Sequence, residues 1–145
     1  MKYYPLFMNL EGRECLVVGA GAVAARKARS LLECGARVTV IGESPVPSLL
    51  RLEGERLKIR PRKFRSRDLG SYALVFGATD DAVVNSEVYR ESRRRETPVN
   101  VVDRPDLCTF IVPSLHRRGD LSIAVSTGGK SPAVARAVSS AYSLP

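Results

Sequence analysis

The sequence predicts an α/β fold: an open parallel sheet with helices on both faces, followed by a short β-rich segment and a last helix. Three observations carry this. Glu14–Val18 is a short apolar run that ends on glycine, which suits a buried parallel strand. Apolar residues Val23, Ala24, Ala28, Leu31 and Leu32 then recur at helical spacing, and Arg37–Ile41 is a second, β-branched run. Strand, helix and strand within about 30 residues is the size of a right-handed βαβ unit.

The remaining elements follow in order. Gly35 is placed to stop the first helix, and residues 42–47 form a turn. A short helix over 48–53 and a weaker strand at Leu57–Arg60 come next, then a central strand over 72–78. Asp80 or Asp81 caps a helix running to about Arg95, whose Arg93–Arg95 cations suit the negative end of the helix dipole. Residues 98–102 make another strand, ending at Asp103. The alternation then stops. Residues 109–112 and 121–126 read as two strands joined by the polar turn 117–120. Ser131 as N-cap and Pro132 as first helical residue open a helix from Ala133 to about Tyr142. The organisation expected is a nucleotide-binding domain over 1–113 and a segment of different type over 114–145.

Composition narrows the function classes. The 145 residues are one domain-sized unit, and 44% hydrophobic content fits a globular core. Lysine and arginine number 23 against 15 acids, a net charge of +8 that attracts anions. Few aromatics interleave with the basic clusters, so nucleic acid is not the expected partner. No apolar run is long enough to span a membrane, and no signal-peptide stretch opens the chain. Three dispersed cysteines and a single histidine argue against a Cys/His zinc site and for a reducing, cytoplasmic setting.

Four constellations carry chemistry. Gly19-Ala20-Gly21-Ala22-Val23-Ala24 is a G-x-G-x-x-A loop between strand and helix, the Rossmann-like signature for a dinucleotide. Gly19 serves the tight turn, Gly21 lets the backbone approach a pyrophosphate, and Ala24 lets the helix pack close; Val23 opens the helix whose N–H groups face the phosphates. Glu43, with Ser44, stands near the end of the second strand. It is either the acceptor of ribose hydroxyls, which favours NAD over NADP, or a solvated turn residue. Gly77-Ala78-Thr79-Asp80-Asp81, with Asn85, follows the central strand at the edge where such sheets bind ligands, and places Thr79 and Asp80 by the cofactor; capping alone also explains the two acids. Asn100-Val101-Val102-Asp103-Arg104-Pro105 brings Asp103 to the same edge, as general base, metal ligand or turn former. Finally, Ser126-Thr127-Gly128-Gly129-Lys130-Ser131-Pro132 offers hydroxyls and a cation before a helix, without the spacing of a phosphate loop.

Taken with Tyr4-Pro5-Leu6-Phe7, Arg26-Lys27-Ala28, residues 35–40 and Phe110-Ile111-Val112-Pro113-Ser114, this ordered set resembles the precorrin-2 dehydrogenase and sirohydrochlorin ferrochelatase family of siroheme synthesis. The resemblance implies NAD-dependent oxidation of precorrin-2 to sirohydrochlorin, with Fe²⁺ insertion in bifunctional members. It implies that Asp103 is important for catalysis and that Ala22, Val23, Glu43 and Ser44 contact NAD. Thr127 falls where some members carry a phosphorylated serine, and the segment after the nucleotide-binding part is implied to form a homodimer. A polycarboxylate tetrapyrrole suits the cationic balance, with Asn100, Arg104, His116, Thr127 and Lys130 as candidate substrate contacts. The chain alone leaves the metal ligands unknown. A non-catalytic NAD-binding regulatory module is the alternative.

Overall fold

The computed structural model describes residues 2–128 and 130–141. The chain divides into two compact units, one over Phe7–Thr109 and one formed by the described residues before Phe7 and after Thr109.

The larger unit is a five-stranded parallel sheet. Strands β1 (Glu14–Val18), β2 (Arg37–Ile41), β3 (Leu57–Arg60), β4 (Leu74–Gly77) and β5 (Val99–Val101) lie in the order β3-β2-β1-β4-β5. Helix α1 (Ala22–Glu33) joins β1 to β2, and α3 (Ala82–Arg94) joins β4 to β5 in the opposite direction across the sheet. Right-handed crossovers therefore put them on opposite faces. The short α2 (Pro47–Leu50) lies between β2 and β3.

Strand alternation divides the core in two. Leu16, Val18, Ile41, Val75, Val99 and Val101 pack with Val88 of α3 and with Phe64 and Leu69. Each such fully buried side chain contributes roughly 1.5–3 kcal/mol. On the other face, the small residues Ala24, Ala25 and Ala28 let α1 lie close against the sheet. That helix ends as its glycine suggests: Gly35 N–H donates to the Leu32 carbonyl at 3.0 Å and Ala36 N–H to Leu31 at 3.2 Å, the paired bonds of a Schellman stop.

The choice between Asp80 and Asp81 is settled by geometry. Asp81 Oδ1 accepts from the N–H groups of Val83 (2.8 Å) and Val84 (3.2 Å), so Asp81 is the N-cap of α3. Asp81→Ala is expected to cost about 1 kcal/mol of stability, read as a lower melting temperature. An unchanged melting temperature would contradict this role.

The smaller unit holds an antiparallel hairpin of β6 (Ser114–Arg118) and β7 (Leu121–Val125), followed by α4 (Pro132–Ala141). The expectation of a strand over 109–112 is corrected here. Thr109 closes the edge of β5 instead: its N–H donates to the Val99 carbonyl at 2.8 Å and its Oγ1 accepts from Val99 N–H at 2.9 Å. Pro113 has no N–H to give a ladder. The strand therefore starts at Ser114 and takes in residues 117 and 118, and the turn contracts to Gly119-Asp120, with Gly119 at φ 55° as a tight hairpin demands. Tyr142, the expected end of the last helix, and Gly129 of the preceding loop lie outside the described residues. Among the described residues no helix is long and apolar enough to cross a membrane.

Candidate functional site at the carboxyl edge of the sheet

Strand order reverses direction between β1 and β4, which places a crevice at their carboxyl ends. Register brings the pieces together. Val18 pairs with Ile41 on one side and Gly77 on the other, and Gly77 pairs with Val101. The residues that follow each strand, Gly19, Gly42, Ala78 and Val102, therefore share one edge.

The glycine turn is held tightly from below. Gly19 N–H donates to the Ile41 carbonyl at 2.8 Å, and Ala78 N–H to the Val18 carbonyl at 2.7 Å. Gly19 has φ 125°, and a Cβ there would stand 2.2 Å from the Ala78 carbonyl oxygen. No side chain fits. Gly42 also packs tightly from β2, though less so, with a Cβ there 2.8 Å from Ala20 N; the sequence suggested only a turn there.

Above the turn the situation is the reverse. A Cβ on Gly21 would meet nothing within 4 Å. Gly21 is the N-cap of α1, no side chain caps the helix, and its first turn carries no acid. The first N–H groups of α1 are therefore presented at an open edge, with the positive end of the helix dipole behind them. This is the arrangement a dinucleotide diphosphate requires, and the residues present fit it. Ala22 is exposed and Val23 half-buried at this tip.

Glu43 and Ser44 follow β2 at the same edge, both exposed, with Ser44 at φ 52°. Thr79 is engaged in its own loop: its Oγ1 donates to Asn85 Oδ1 at 2.9 Å, while Asn85 Nδ2 donates to the Thr79 carbonyl at 2.9 Å. Buried Asn85 thus fixes the β4–α3 connection. Asp80 is exposed beside it.

Asp103 ends the turn after β5, exposed and at φ 59°. Backbone bonds hold this turn: Val102 N–H to Gly77 O at 2.9 Å and Arg104 N–H to Val101 O at 3.2 Å. Among the described residues no hydrogen bond or ion pair engages the Asp103 carboxylate. Arg104, its neighbour, forks onto Asp106 at 3.0 and 2.7 Å, which lowers the pKa of the Asp106 carboxyl. Half-buried Asn100 lies on β5. Cys108 Sγ accepts from Val101 N–H at 3.3 Å and is half-buried; burial raises its pKa. Cys15 and Cys108 are free thiols, and burial pushes the pKa of Cys15 up to about 11.

In the smaller unit, half-buried His116 stands on β6 opposite Ile123. Thr127 Oγ1 accepts from Ser131 N–H at 2.8 Å, and Lys130 is exposed. Among the described residues no group of three or more His, Cys, Asp or Glu side chains could hold a metal ion. A separate groove of about 550 Å³ lies at the opposite, amino-terminal edge of the sheet, lined by Arg13, Tyr72, Arg95 and Thr97 among others.

Lys27 is a residue that sequence reasoning left aside. A lysine between Arg26 and Ala28 reads as a solvated helix face, but its Nζ lies 5.2 Å from the centre of the Phe76 ring.

The glycine turn, the open helix tip and the strand order define a nucleotide-binding α/β domain, and the chain belongs to the NAD(P)-binding family, whose model matches residues 6–114. Residues 118–138 match the sirohaem biosynthesis protein central family, and the succession is that of the N-terminal module of siroheme synthases. The siroheme synthase of Methylobacillus flagellatus is 47% identical over 137 residues, and that of Methylococcus capsulatus 45% over 137. Each alignment covers 94% of this chain, which spans 29% of the length of these relatives. Among solved structures, SirC, a precorrin-2 dehydrogenase, superposes with a TM-score of 0.85 at 28% identity, over 96% of this chain and 69% of SirC.

Proposed function

We propose that this chain oxidises precorrin-2 to sirohydrochlorin with NAD as the oxidant. The observation that carries the proposal is the uncommitted carboxylate of Asp103, on the same sheet edge as the open helix tip above Gly21. NAD bound at that tip supplies the acceptor for the hydride that leaves the substrate. Asp103 takes the proton lost in the same oxidation, as its general base. The backbone bonds of Val102 and Arg104 hold the turn that carries this carboxylate. Glu43 accepts the ribose hydroxyls and repels a 2′-phosphate, which selects NAD over NADP.

Residues 1–113 form the NAD-binding domain in this reading, with Gly19, Gly21, Ala22, Val23, Glu43, Ser44, Thr79 and Asp80 around the cofactor. Asn100, Arg104, His116, Thr127 and Lys130 serve the carboxylates of the substrate. Arg104 is available because an exposed ion pair such as that with Asp106 is worth under about 1 kcal/mol and exchanges readily. Residues 114–145 form the dimerisation segment. Leu115, Leu121 and Val134 expose 49%, 48% and 52% of their surface, and a second copy of the chain is the partner that buries them. The free thiols of Cys15 and Cys108 suit a cytoplasmic setting.

The test is incubation of the protein with precorrin-2 and NAD. Sirohydrochlorin and NADH are expected in equal amounts. NAD binding without turnover would instead indicate a regulatory module.

A further inference from the structure

Lys27 lies in the second turn of α1 and is half-buried, with its amine over the ring of Phe76 near the carboxyl end of β4. Its electrostatic surroundings are unbalanced. Burial and repulsion from Arg26 push its pKa below the ordinary lysine value, against weaker pulls from Asp103 and Cys108. Among the described residues no carboxylate lies within 4.0 Å of its nitrogen, since the ion pairs formed are Arg62–Asp68, Arg94–Glu91 and Arg104–Asp106. Cys108 offers little compensation: its single S–H is shared between the carbonyls of Val101 and Arg104, each 3.2 Å away, and its raised pKa keeps it neutral. Asp103, the remaining anion nearby, acts on Lys27 only through space.

A cation drawn out of water without a bound counter-ion is costly, and an arriving anion recovers that cost. Phe76 is one residue from the carboxyl end of β4 and Asp103 follows β5 at the same edge of the sheet, so the amine lies near the edge where an anionic ligand would enter. We infer that Lys27 binds one carboxylate of the polycarboxylate substrate and so sets the edge of the macrocycle beside Asp103. The inference rests on the proposed dehydrogenase reading and adds a substrate contact to it. The aromatic ring below the amine steadies the ammonium, as cation–π contacts do, and leaves its N–H donors for the ligand.

Two measurements test this. In the first, the intact protein is treated with an amine-acylating ester, and the labelling of Lys27 is read by peptide mass spectrometry with and without ligands. Sirohydrochlorin, used as the polycarboxylate probe, should reduce labelling at Lys27 several-fold and leave Lys58 and Lys63 unchanged, while NAD alone should not protect. Protection by NAD alone, or by neither, would overturn the assignment. In the second, Lys27→Met should raise KM for precorrin-2 about tenfold or more with kcat little changed and NAD affinity intact, and Lys27→Arg should recover part of the loss. A drop in kcat at constant KM would overturn it equally. If the native protein binds sirohydrochlorin and protects Lys27 but does not oxidise precorrin-2, the dehydrogenase reading fails and the carboxylate contact stands.

Discussion

Gly19→Ala is expected to remove dinucleotide binding and to lower stability together. The new Cβ would stand 2.2 Å from the Ala78 carbonyl oxygen, and the backbone at φ 125° is one that L side chains rarely adopt. Conformational strain alone costs about 1–3 kcal/mol. The clash comes on top, and it falls on backbone, which cannot swing aside as a flexible side chain would. Relief requires β1 and β4 to separate at the edge where the helix tip is presented. Gly21→Ala is the informative contrast. Nothing lies within 4 Å of its Cβ and its backbone is extended, so the fold should be kept. The added methyl instead fills space a diphosphate would occupy, and NAD affinity should fall while the melting temperature holds. Thermal unfolding and NAD titration on both variants check this. Equal behaviour of the two would mean that the glycines serve only the turn.

Asp103→Asn carries the second large effect. Turnover of precorrin-2 should fall by about 10²–10⁴-fold, the usual worth of a positioned base, with NAD affinity unchanged. Asparagine is the appropriate replacement because it tolerates the left-handed conformation that residue 103 adopts at φ 59°. Loss of activity then cannot be assigned to a collapsed turn. Steady-state kinetics with parallel NAD binding reads the result, and activity near that of the native chain would remove Asp103 as the base.

Local sequence carried the sheet well where local chemistry decides. β1 and β2 stand over the residues expected, because continuous apolar or β-branched runs bounded by turn residues leave few alternatives; β3 does so as an edge strand, with Leu57 and Ile59 alternating with Lys58 and Arg60. The G-x-G-x-x-A loop was readable for the same reason: strand, glycine turn and helix follow in immediate succession. Where the outcome depended on distant partners, the sequence was silent or misleading. Thr109 looks like a strand residue, but its hydroxyl and N–H are claimed by Val99, which displaces the hairpin toward Ser114. Asp80 and Asp81 are equivalent caps in sequence, and only the entry of the chain from β4 selects Asp81. Lys27 is the strongest case. Its burial depends on where Phe76 and the turn after β5 come to rest, and helical spacing contains neither fact. Thr79 shows the opposite limit: its hydroxyl suggests a ligand contact, but much of its bonding is spent on Asn85.

Amide hydrogen exchange with and without NAD bears most directly on the site. The account predicts that NAD slows exchange at residues 20–23 and at 78–81, the two strand ends that face each other across the crevice. Protection confined to the opposite edge, around Arg13, Tyr72 and Thr97, with residues 20–23 unaffected, would contradict it.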